Sequence, residues 1–325
     1  MHTATKSPWL ERRLRGITGT DVAAILGIHK YRSALDVWGE KTGRLPAPDL
    51  GDSEAVYWGS RLESIVLDEY IRRTGRPLLA PEEWASEGVH MLALDHEGET
   101  KYMLGRNAAG EEHLLCTPDG MANRWKPLPW ADEQEALEGR GMVEAKTGSA
   151  YVGHDWAEGA PLIYQVQAAY NAAVAKNSWF SLTGLLGGQR HLTYDYALKP
   201  ELAELLLSTA TDFWRNHVLA DVEPDVANVV SLPAWAKMHP IDDSTTIELD
   251  AEAWEAKDRH LQSLKADAKA LTKEIKDIEA TLKGAIGDST IALIPGVAQY
   301  SLKTQSRAEK LVAASTFRVL RRKAL

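Results

Sequence analysis

A short run of alternating residues, Val143-Glu144-Ala145-Lys146-Thr147, constrains this chain more than any other stretch. Alternate side chains of a β-strand share a face, so Glu144 and Lys146 point to one side. The three residues between and beside them point to the other side, which suits packing beneath a helix. The run therefore predicts a strand that carries a carboxylate and an ammonium group together on one face.

A second carboxylate, Asp119, belongs to a separate segment, Thr117-Pro118-Asp119-Gly120, whose Pro-Asp-Gly sequence is typical of a turn. Two carboxylates brought close together are unfavourable unless a divalent cation neutralises them. A lysine beside them can stabilise developing charge or orient an attacking water. Asp119, Glu144 and Lys146 therefore indicate metal-assisted phosphodiester hydrolysis. The alternative is a strand whose alternating charges merely face solvent.

Length, charge and cysteine content bound the class of protein. A chain of 325 residues accommodates one large domain and an appendage. The formal net charge of −9 argues against broad coating of nucleic acid but not against a nuclease, because metal ions supply positive charge locally. No run is long and apolar enough to span a bilayer and no signal-peptide core is seen, so we expect a cytoplasmic protein. The single cysteine, Cys116, excludes an intrachain disulfide and predicts a buried strand residue.

The N-terminal segment contains a candidate anion site. Arg13 and Arg15 precede Thr18, which together with Asp21 predicts a capped helix that stops at Gly27. Helix N-termini bind phosphate through unpaired backbone N–H groups. A capped helix with ordinary surface arginines is the alternative.

Two polar residues are predicted to point inward from helices. A helix over residues 54–74 has apolar positions that Glu63 interrupts, and a carboxylate on an apolar face needs a cation or a metal as partner. A second helix, starting at Pro161 and running to about Lys176, directs Gln165 inward. The apolar positions of the first helix are Trp58, Leu62, Ile65, Val66 and Tyr70.

The order of predicted elements indicates an α/β fold with a mixed central sheet flanked by helices. We expect one domain over residues 1–225, a linker over 226–245 and a C-terminal segment over 246–325. That segment contains a heptad seam, a short hairpin and a basic tail. The seam suits a coiled-coil arm, an antiparallel pairing or a helix docked on the main domain. Its residues are Leu261, Leu264, Ala268, Leu271, Ile275, Ile278 and Leu282.

With these motifs in view, the chain resembles the phage-type YqaJ-like recombinases, relatives of lambda exonuclease in the PD-(D/E)xK nuclease superfamily. The resemblance covers roughly residues 10–220, and the matching motifs occur in the family's order. They are Gly16-Ile17-Thr18-Gly19-Thr20-Asp21 through Leu26-Gly27, Trp58-Gly59 with Leu62-Glu63, Pro118-Asp119-Gly120, Val143-Glu144-Ala145-Lys146-Thr147 and Tyr164-Gln165-Val166-Gln167.

The resemblance implies a restriction-endonuclease-like core that digests double-stranded DNA from its 5′ ends. The resulting 3′ single-stranded overhangs would serve phage-type recombination by single-strand annealing. It also implies Mg²⁺, with Mn²⁺ as a substitute, held by Asp119, Glu144 and the carbonyl of Ala145. Lys146 would activate or position the water. Catalytic roles also fall to Glu63, which would assist the metal site, and to Gln165, which would orient groups around it.

The resemblance further assigns Arg13, Thr20 and Thr117 to the 5′ phosphate, with threonine hydroxyls in place of the family's serines. An acidic position upstream of the Pro-Asp motif lacks a clear counterpart, and Glu111 or Glu112 could substitute. Implied partners are double-stranded DNA ends, a phage single-strand annealing protein and two further copies in a ring-shaped trimer, in the cytoplasm of a bacterial host. The alternatives are another nuclease of the superfamily, RecB-like or an endonuclease, and a non-catalytic DNA-end-binding protein.

Overall fold

The computed structural model describes residues 7–47, 53–96, 98–108, 111–123, 139–226, 229–241 and 246–306. The chain divides into two compact units, Met1–His239 and Pro240–Leu325. Within the range predicted as a linker, residues Leu232–Met238 form a helix. No helix in the described ranges combines the length and apolar character needed to cross a lipid bilayer.

The first unit contains seven α-helices among its described residues. They are α1 (Pro8–Leu14), α2 (Gly19–Ile25), α3 (Ala34–Lys41), α4 (Glu54–Thr74), α5 (Leu162–Val174), α6 (Pro200–Phe213) and α7 (Leu232–Met238). Pro161 is the N-cap of α5, whereas the sequence places it inside the helix. Helix α6 ends at Phe213 and the chain continues as a π-helical turn, Trp214–Leu219.

Two sheets organise the first unit. Strands β1 (Val89–His96), β2 (Glu99–Ala108) and β3 (Glu111–Cys116) form an antiparallel sheet. Strands β4 (Gly120–Asn123), β5 (Arg140–Gly148), β6 (Trp179–Leu186) and β7 (Arg190–Ala197) form a mixed sheet in that order. Only the β5–β6 pair is parallel in it, and α5 provides the crossover between these two strands. The predicted mixed sheet of an α/β fold is confirmed.

The mixed sheet has a helix on each face. Tyr70 of α4 packs with Val143 and Trp179 on one face. On the other face, Met142 and Phe180 join the large core that includes Tyr170 of α5. The strand alternation predicted for β5 is therefore confirmed, because Val143 lies on the α4 side and Met142 on the α5 side.

Helix α4 faces the sheet along a narrower arc than the sequence predicts. Val66 and Tyr70 are buried, and a Cβ atom on Gly59 would lie 3.6 Å from Thr147 Oγ1 of β5. Positions 59, 63, 66 and 70 recur at helical spacing and define that arc. Trp58 and Ile65 lie off it and are each 53% exposed, so their placement on the apolar face is wrong.

The second unit has one long helix, α8 (Ala251–Ile286), and a hairpin of β8 (Ile291–Ile294) and β9 (Ala298–Ser301). Asp250 caps α8 by accepting a hydrogen bond from the backbone N–H of Ala253 at 2.8 Å. No residue of α8 is buried, and its predicted seam is exposed at Leu261, Leu264, Leu271, Ile275 and Ile278. Most of the predicted basic tail, residues 307–325, lies outside the described residues.

Candidate active site

Strand β5 and the turn between β3 and β4 bring the two motif carboxylates together. Gly120 of β4 pairs with Val143 of β5, which places Asp119 beside the middle of β5. The backbone N–H of Ala145 donates to Asp119 Oδ2 at 2.8 Å. Backbone pairing of β4 with β5 thus brings Asp119 next to Ala145 and close to Glu144.

Glu144 is held by three side-chain donors. It is only 2% exposed, and its Oε1 atom accepts from the ammonium group of Lys146. Gln167 Nε2 donates to the same oxygen at 2.5 Å, and Asn171 Nδ2 donates to Oε2 at 3.2 Å. A buried carboxylate requires such partners to remain charged. Sequence reasoning identified the lysine but missed both amides.

Glu63 reaches the same site from α4. Burial raises the pKa of the Glu63 carboxyl. Lys101 of β2 acts against that rise, and the negative charge of Glu144 reinforces it. The structure therefore places Glu63 within electrostatic range of Glu144, and its functional role stays a prediction. Lys101 was not anticipated, because nothing in its local sequence marks it.

The electrostatics of the site show an excess of negative charge. Burial raises the pKa of Asp119 well above its usual range, and the charge of Glu144 raises it further. Lys146 counters this rise, whereas Glu63 adds to it. Three carboxylates close to Lys146, with Lys101 acting only on Glu63, leave a negative charge that a bound cation would neutralise.

Lys146 is held in its charged form. Burial alone would lower the pKa of Lys146, but the charges of Glu144 and Asp119 outweigh it and the pKa lies above its ordinary value. The ammonium group also lies 5.5 Å from the ring centroid of Tyr164. A protonated lysine donates hydrogen bonds and positive charge but cannot accept a proton.

The N-terminal segment contains a compact ion cluster. Asp21 bonds Arg32 Nη1 at 2.7 Å and Lys41 Nζ at 2.8 Å, and Arg32 also pairs with Glu40 at 2.5 Å. Burial and the nearby Arg32 lower the pKa of Arg13, and Asp21 and Glu40 act against them. With Arg13, the cluster holds three cations and two carboxylates, which leaves one positive charge in excess.

Arg13 is the member of the cluster that is open to a ligand. Its guanidinium lies 4.7 Å from the ring centroid of Trp9. No described residue accepts a hydrogen bond from it. By contrast, the start of α2 is already capped, because Asp21 Oδ2 accepts from the backbone N–H of Thr18 at 2.9 Å. This bond satisfies one of the N–H groups that a helix start leaves unpaired, and the anion site at this helix stays a prediction.

Thr20 and Thr117 lie on segments that run side by side. Ile17 and Leu114 form an isolated parallel bridge. Each threonine follows its bridge residue by three positions, and both side chains are partly exposed. The structure thus brings the two predicted phosphate contacts toward the same region.

Two predicted residues are engaged elsewhere. Gln165 Nε2 donates to the carbonyl of Ala160 at 2.6 Å and does not bond Glu144. Glu112 pairs with Arg12 at 2.7 Å, so it is occupied in an ion pair. Two residues of α5, Gln167 and Asn171, take the positions around Glu144 that the sequence suggested for Gln165.

A preformed metal cage is not seen. Among the described residues, no group of three or more His, Cys, Asp or Glu side chains is arranged to hold a metal ion. The donor chemistry nevertheless suits a hard divalent cation, since Asp119 and Glu144 present carboxylate oxygens and Ala145 a backbone carbonyl.

Comparisons with known proteins agree with the motifs. The family described as the YqaJ-like viral recombinase domain matches residues 8–178. The chain is 24% identical over 300 residues to the uncharacterized protein YqaJ of Bacillus subtilis (strain 168), covering 89% of this chain and 81% of that protein.

Two solved structures are also similar, at 16% identity, and cover 66% of this chain and 92% of theirs. They are an alkaline exonuclease (LHK-Exo) from Laribacter hongkongensis, with a TM-score of 0.44, and LHK-Exo in complex with dAMP, with a TM-score of 0.45. The family match spans more than half of the chain, in the segment that carries Glu63, Asp119, Glu144 and Lys146. The chain belongs to the YqaJ-like viral recombinase domain family.

Proposed function

We propose that the protein is a metal-dependent deoxyribonuclease that digests linear double-stranded DNA from its 5′ ends and leaves 3′ single-stranded overhangs. The observation that carries this proposal is the convergence of three carboxylates at Lys146: Asp119 accepts from the N–H of Ala145, Glu144 pairs with Lys146, and Glu63 lies within electrostatic range of both. A purely structural site has no reason to collect three repelling carboxylates. The family's name in recombination supports DNA as the substrate.

Asp119, Glu144 and the carbonyl of Ala145 would hold the cation, which we assign to Mg²⁺ with Mn²⁺ as a substitute. The bound ion would neutralise these carboxylates and stabilise negative charge on the phosphate oxygens. Glu63 would support the site from α4. Gln165 remains a candidate to orient groups on the substrate side, where it lies close to the turn at Ala160.

The role of Lys146 follows from its charge. Since its pKa is raised, it donates hydrogen bonds at neutral pH and does not act as the base. An ammonium group beside the reacting phosphate orients water and stabilises the charge that develops on the phosphate oxygens. Its ion pair with Glu144 keeps it at the site before substrate arrives.

The polarity of digestion would come from the N-terminal segment. The Arg13 guanidinium has donors available, and a terminal phosphate carries more negative charge than an internal diester. Thr20 and Thr117 would supply hydroxyl donors. Charge-assisted hydrogen bonds from a guanidinium fork favour this ligand strongly. The substrate would thus be held by its 5′ phosphate.

The products would pass to a partner. Overhangs of this kind serve recombination through a phage single-strand annealing protein, and a ring-shaped homotrimer is the assembly that we propose for processive digestion. Both statements rest on the resemblance to lambda exonuclease.

One assay tests the proposal. Linear duplex labelled at either the 5′ or the 3′ end is incubated with Mg²⁺ or with EDTA, beside closed circular DNA. We expect Mg²⁺-dependent release of 5′ nucleotides from linear DNA alone. Glu144→Gln should abolish release, whereas Asp68→Asn, an exposed carboxylate on α4, should not. Cleavage of circular DNA would indicate an endonuclease, and DNA-end binding without cleavage would indicate a non-catalytic protein.

A further inference from the structure

A pair of amides on α5 fixes both oxygens of Glu144. Gln167 and Asn171 are four residues apart and project from one face of the helix. Gln167 bonds Oε1 and Asn171 bonds Oε2, so rotation of the carboxylate would break one bond or the other. Asn171 is buried in a stretch of α5 whose other residues, Ala168, Tyr170 and Ala172 among them, are buried as well and carry no charge. A polar residue is unfavourable there unless it has a specific partner.

Asn171 and Gln167 also lie against Gly19 at the start of α2. A Cβ atom placed on Gly19 would lie 2.6 Å from Asn171 Oδ1 and 2.8 Å from the carbonyl oxygen of Gln167. Glycine is therefore required for α2 to pack this closely on α5. Asn171 Oδ1 is buried and has no hydrogen-bond partner among the described residues. Gly19 thus lies next to the Oδ1 atom of Asn171, while the Nδ2 atom of the same side chain donates to Glu144.

The residues before Gly19 form backbone hydrogen bonds with β3, the strand that leads to Asp119. Ile17 donates its N–H to the carbonyl of His113 at 2.7 Å and accepts from the N–H of Leu115 at 2.9 Å. Tyr170 of α5 donates to the carbonyl of Ile17 at 2.8 Å. Residues 17–19 therefore contact α5, which holds Glu144, and β3, which leads to Asp119. Arg13 precedes this segment and Thr20 follows it.

We propose that Gln167 and Asn171 are positioning residues that couple capture of the DNA 5′ end to metal binding at Glu144. The proposal rests on the proposed function, because it takes the phosphate to bind at Arg13 and Thr20. When residues 13–20 hold a phosphate, Gly19 stays seated and keeps the Asn171 nitrogen aimed at Glu144. When the segment lifts, Asn171 rotates freely and Glu144 loses a fixed orientation. Coupling of this kind is reciprocal, so the metal also strengthens 5′-end binding.

The test measures Mn²⁺ binding by titration calorimetry, which does not depend on turnover. The full-length protein is titrated alone, with a 5′-phosphorylated duplex and with a 5′-hydroxyl duplex, both carrying phosphorothioate linkages at the ends to resist hydrolysis. For the unmodified protein we expect the phosphorylated duplex to tighten Mn²⁺ binding by about fivefold relative to the hydroxyl duplex, within the usual range of coupling between sites. In Asn171→Ala this ratio should fall to about one, while Mn²⁺ still binds.

Three further variants keep the test decisive. Asn177→Ala removes another buried amide just beyond α5, one that does not bond Glu144, and should leave the ratio unchanged. Gly19→Ala should abolish the coupling because its methyl group displaces Asn171. The double variant Gly19→Ala/Asn171→Ala should recover the melting temperature without recovering the coupling, since the methyl group then fits the vacated space.

An unchanged ratio in Asn171→Ala overturns the proposal. A ratio of one in the unmodified protein also overturns the proposal. If that protein still cleaves linear DNA in the presence of Mg²⁺, the proposed function stands without the coupling. Absence of both Mn²⁺ binding and cleavage overturns the proposed function as well.

Discussion

At the scale of single residues, Asp119 is held in a charged site at the expense of stability. Its raised pKa means that the folded chain binds a proton more tightly than the unfolded chain does. The metal-free protein is therefore less stable at neutral pH than it would be with a neutral residue at this position. Stability should rise as the pH falls through the folded-state pKa toward the ordinary value of 3.8.

We predict that Asp119→Asn raises the melting temperature in EDTA by a few degrees at neutral pH, because it removes repulsion from Glu144 while keeping an acceptor for Ala145. One kcal/mol corresponds to roughly 2–4 °C in a domain of this size. Thermal melts from neutral to acid pH should show the gain vanishing near pH 4, where both proteins are uncharged at position 119. The stabilisation by added Mg²⁺ should disappear in the variant. A lower melting temperature in EDTA would contradict the repulsion.

Sequence predicts which side chains face the site when they lie on a strand, because strand residues alternate between two faces. It fails for side chains on a helix when the rotation of that helix against the sheet is unknown. Glu144 and Lys146 share a face because alternate strand residues must. Gln165 and Gln167 are both inward-leaning on a helix with apolar residues nearly all round, so periodicity does not choose between them. The choice depends on where β5 passes beneath α5. Asn171 and Lys101 carry no local signal and are recognisable only once the strands are paired.

At the scale of elements, ion pairs join α2 to α3 in addition to apolar contacts between the two helices. Lys41 is only 4% exposed and bonds both Asp21 and the backbone carbonyl of Arg13. The basic groups around Asp21 hold the pKa of that carboxyl far below its ordinary value, although burial alone would raise it. A depressed folded-state pKa contributes stability that is present above the unfolded value of 3.8 and lost as the pH falls below it.

We predict that Asp21→Asn destabilises the protein by about 3–5 kcal/mol, because it leaves Lys41 and Arg32 without a buried counter-charge. Denaturant unfolding at neutral pH measures this directly. Asp212→Asn, an exposed carboxylate on α6, is the matched control and should change the stability by less than about 0.5 kcal/mol. Equal effects of the two substitutions would show that the ion cluster contributes nothing.

The position of Arg13 depends on helix α1, which carries both Arg13 and the Trp9 ring that its guanidinium contacts. We predict that Arg13→Ala slows digestion of 5′-phosphorylated duplex at least about tenfold more than that of 5′-hydroxyl duplex, since a charged hydrogen bond is worth roughly 1.5–3 kcal/mol. Initial rates at low and high salt measure the preference, and added salt should weaken it. Arg215→Ala, an exposed arginine beyond α6, should leave both rates unchanged. If the unmodified enzyme degrades both substrates equally, Arg13 is not a phosphate contact.

At the scale of the whole molecule, the sequence predicts element order and sheet type well because each helix and strand has its own period. What it cannot supply is the phase of α4 against the sheet, which leaves Trp58 and Ile65 exposed. It also left open what the heptad seam contacts, since the same pattern serves a coiled coil and a docked helix. The helix that bears the seam buries none of its residues.

We predict that removing residues 251–325 lowers the number of protomers per particle, obtained by dividing the molar mass from light scattering by the mass of one chain, and changes the melting temperature by no more than a degree or two. An apolar seam this exposed is expected to pair with another copy in solution. Leu264→Gln/Leu271→Gln should lower the number of protomers in the same way, and Lys269→Gln/Lys273→Gln, on the side of α8 away from the seam, should not. An unchanged number of protomers with a lower melting temperature would indicate a docked helix instead.

The burial of Cys116 makes site-specific labelling of this protein simple. It is the only sulfhydryl in the chain, it is fully buried at the end of β3, and burial raises its pKa, so alkylating reagents meet almost no thiolate. A cysteine introduced on the surface would therefore be labelled alone, without first removing the native one. Spectroscopic probes placed on the segment around Thr20 and on exposed positions of α4 would then report distances between them as DNA and metal are added.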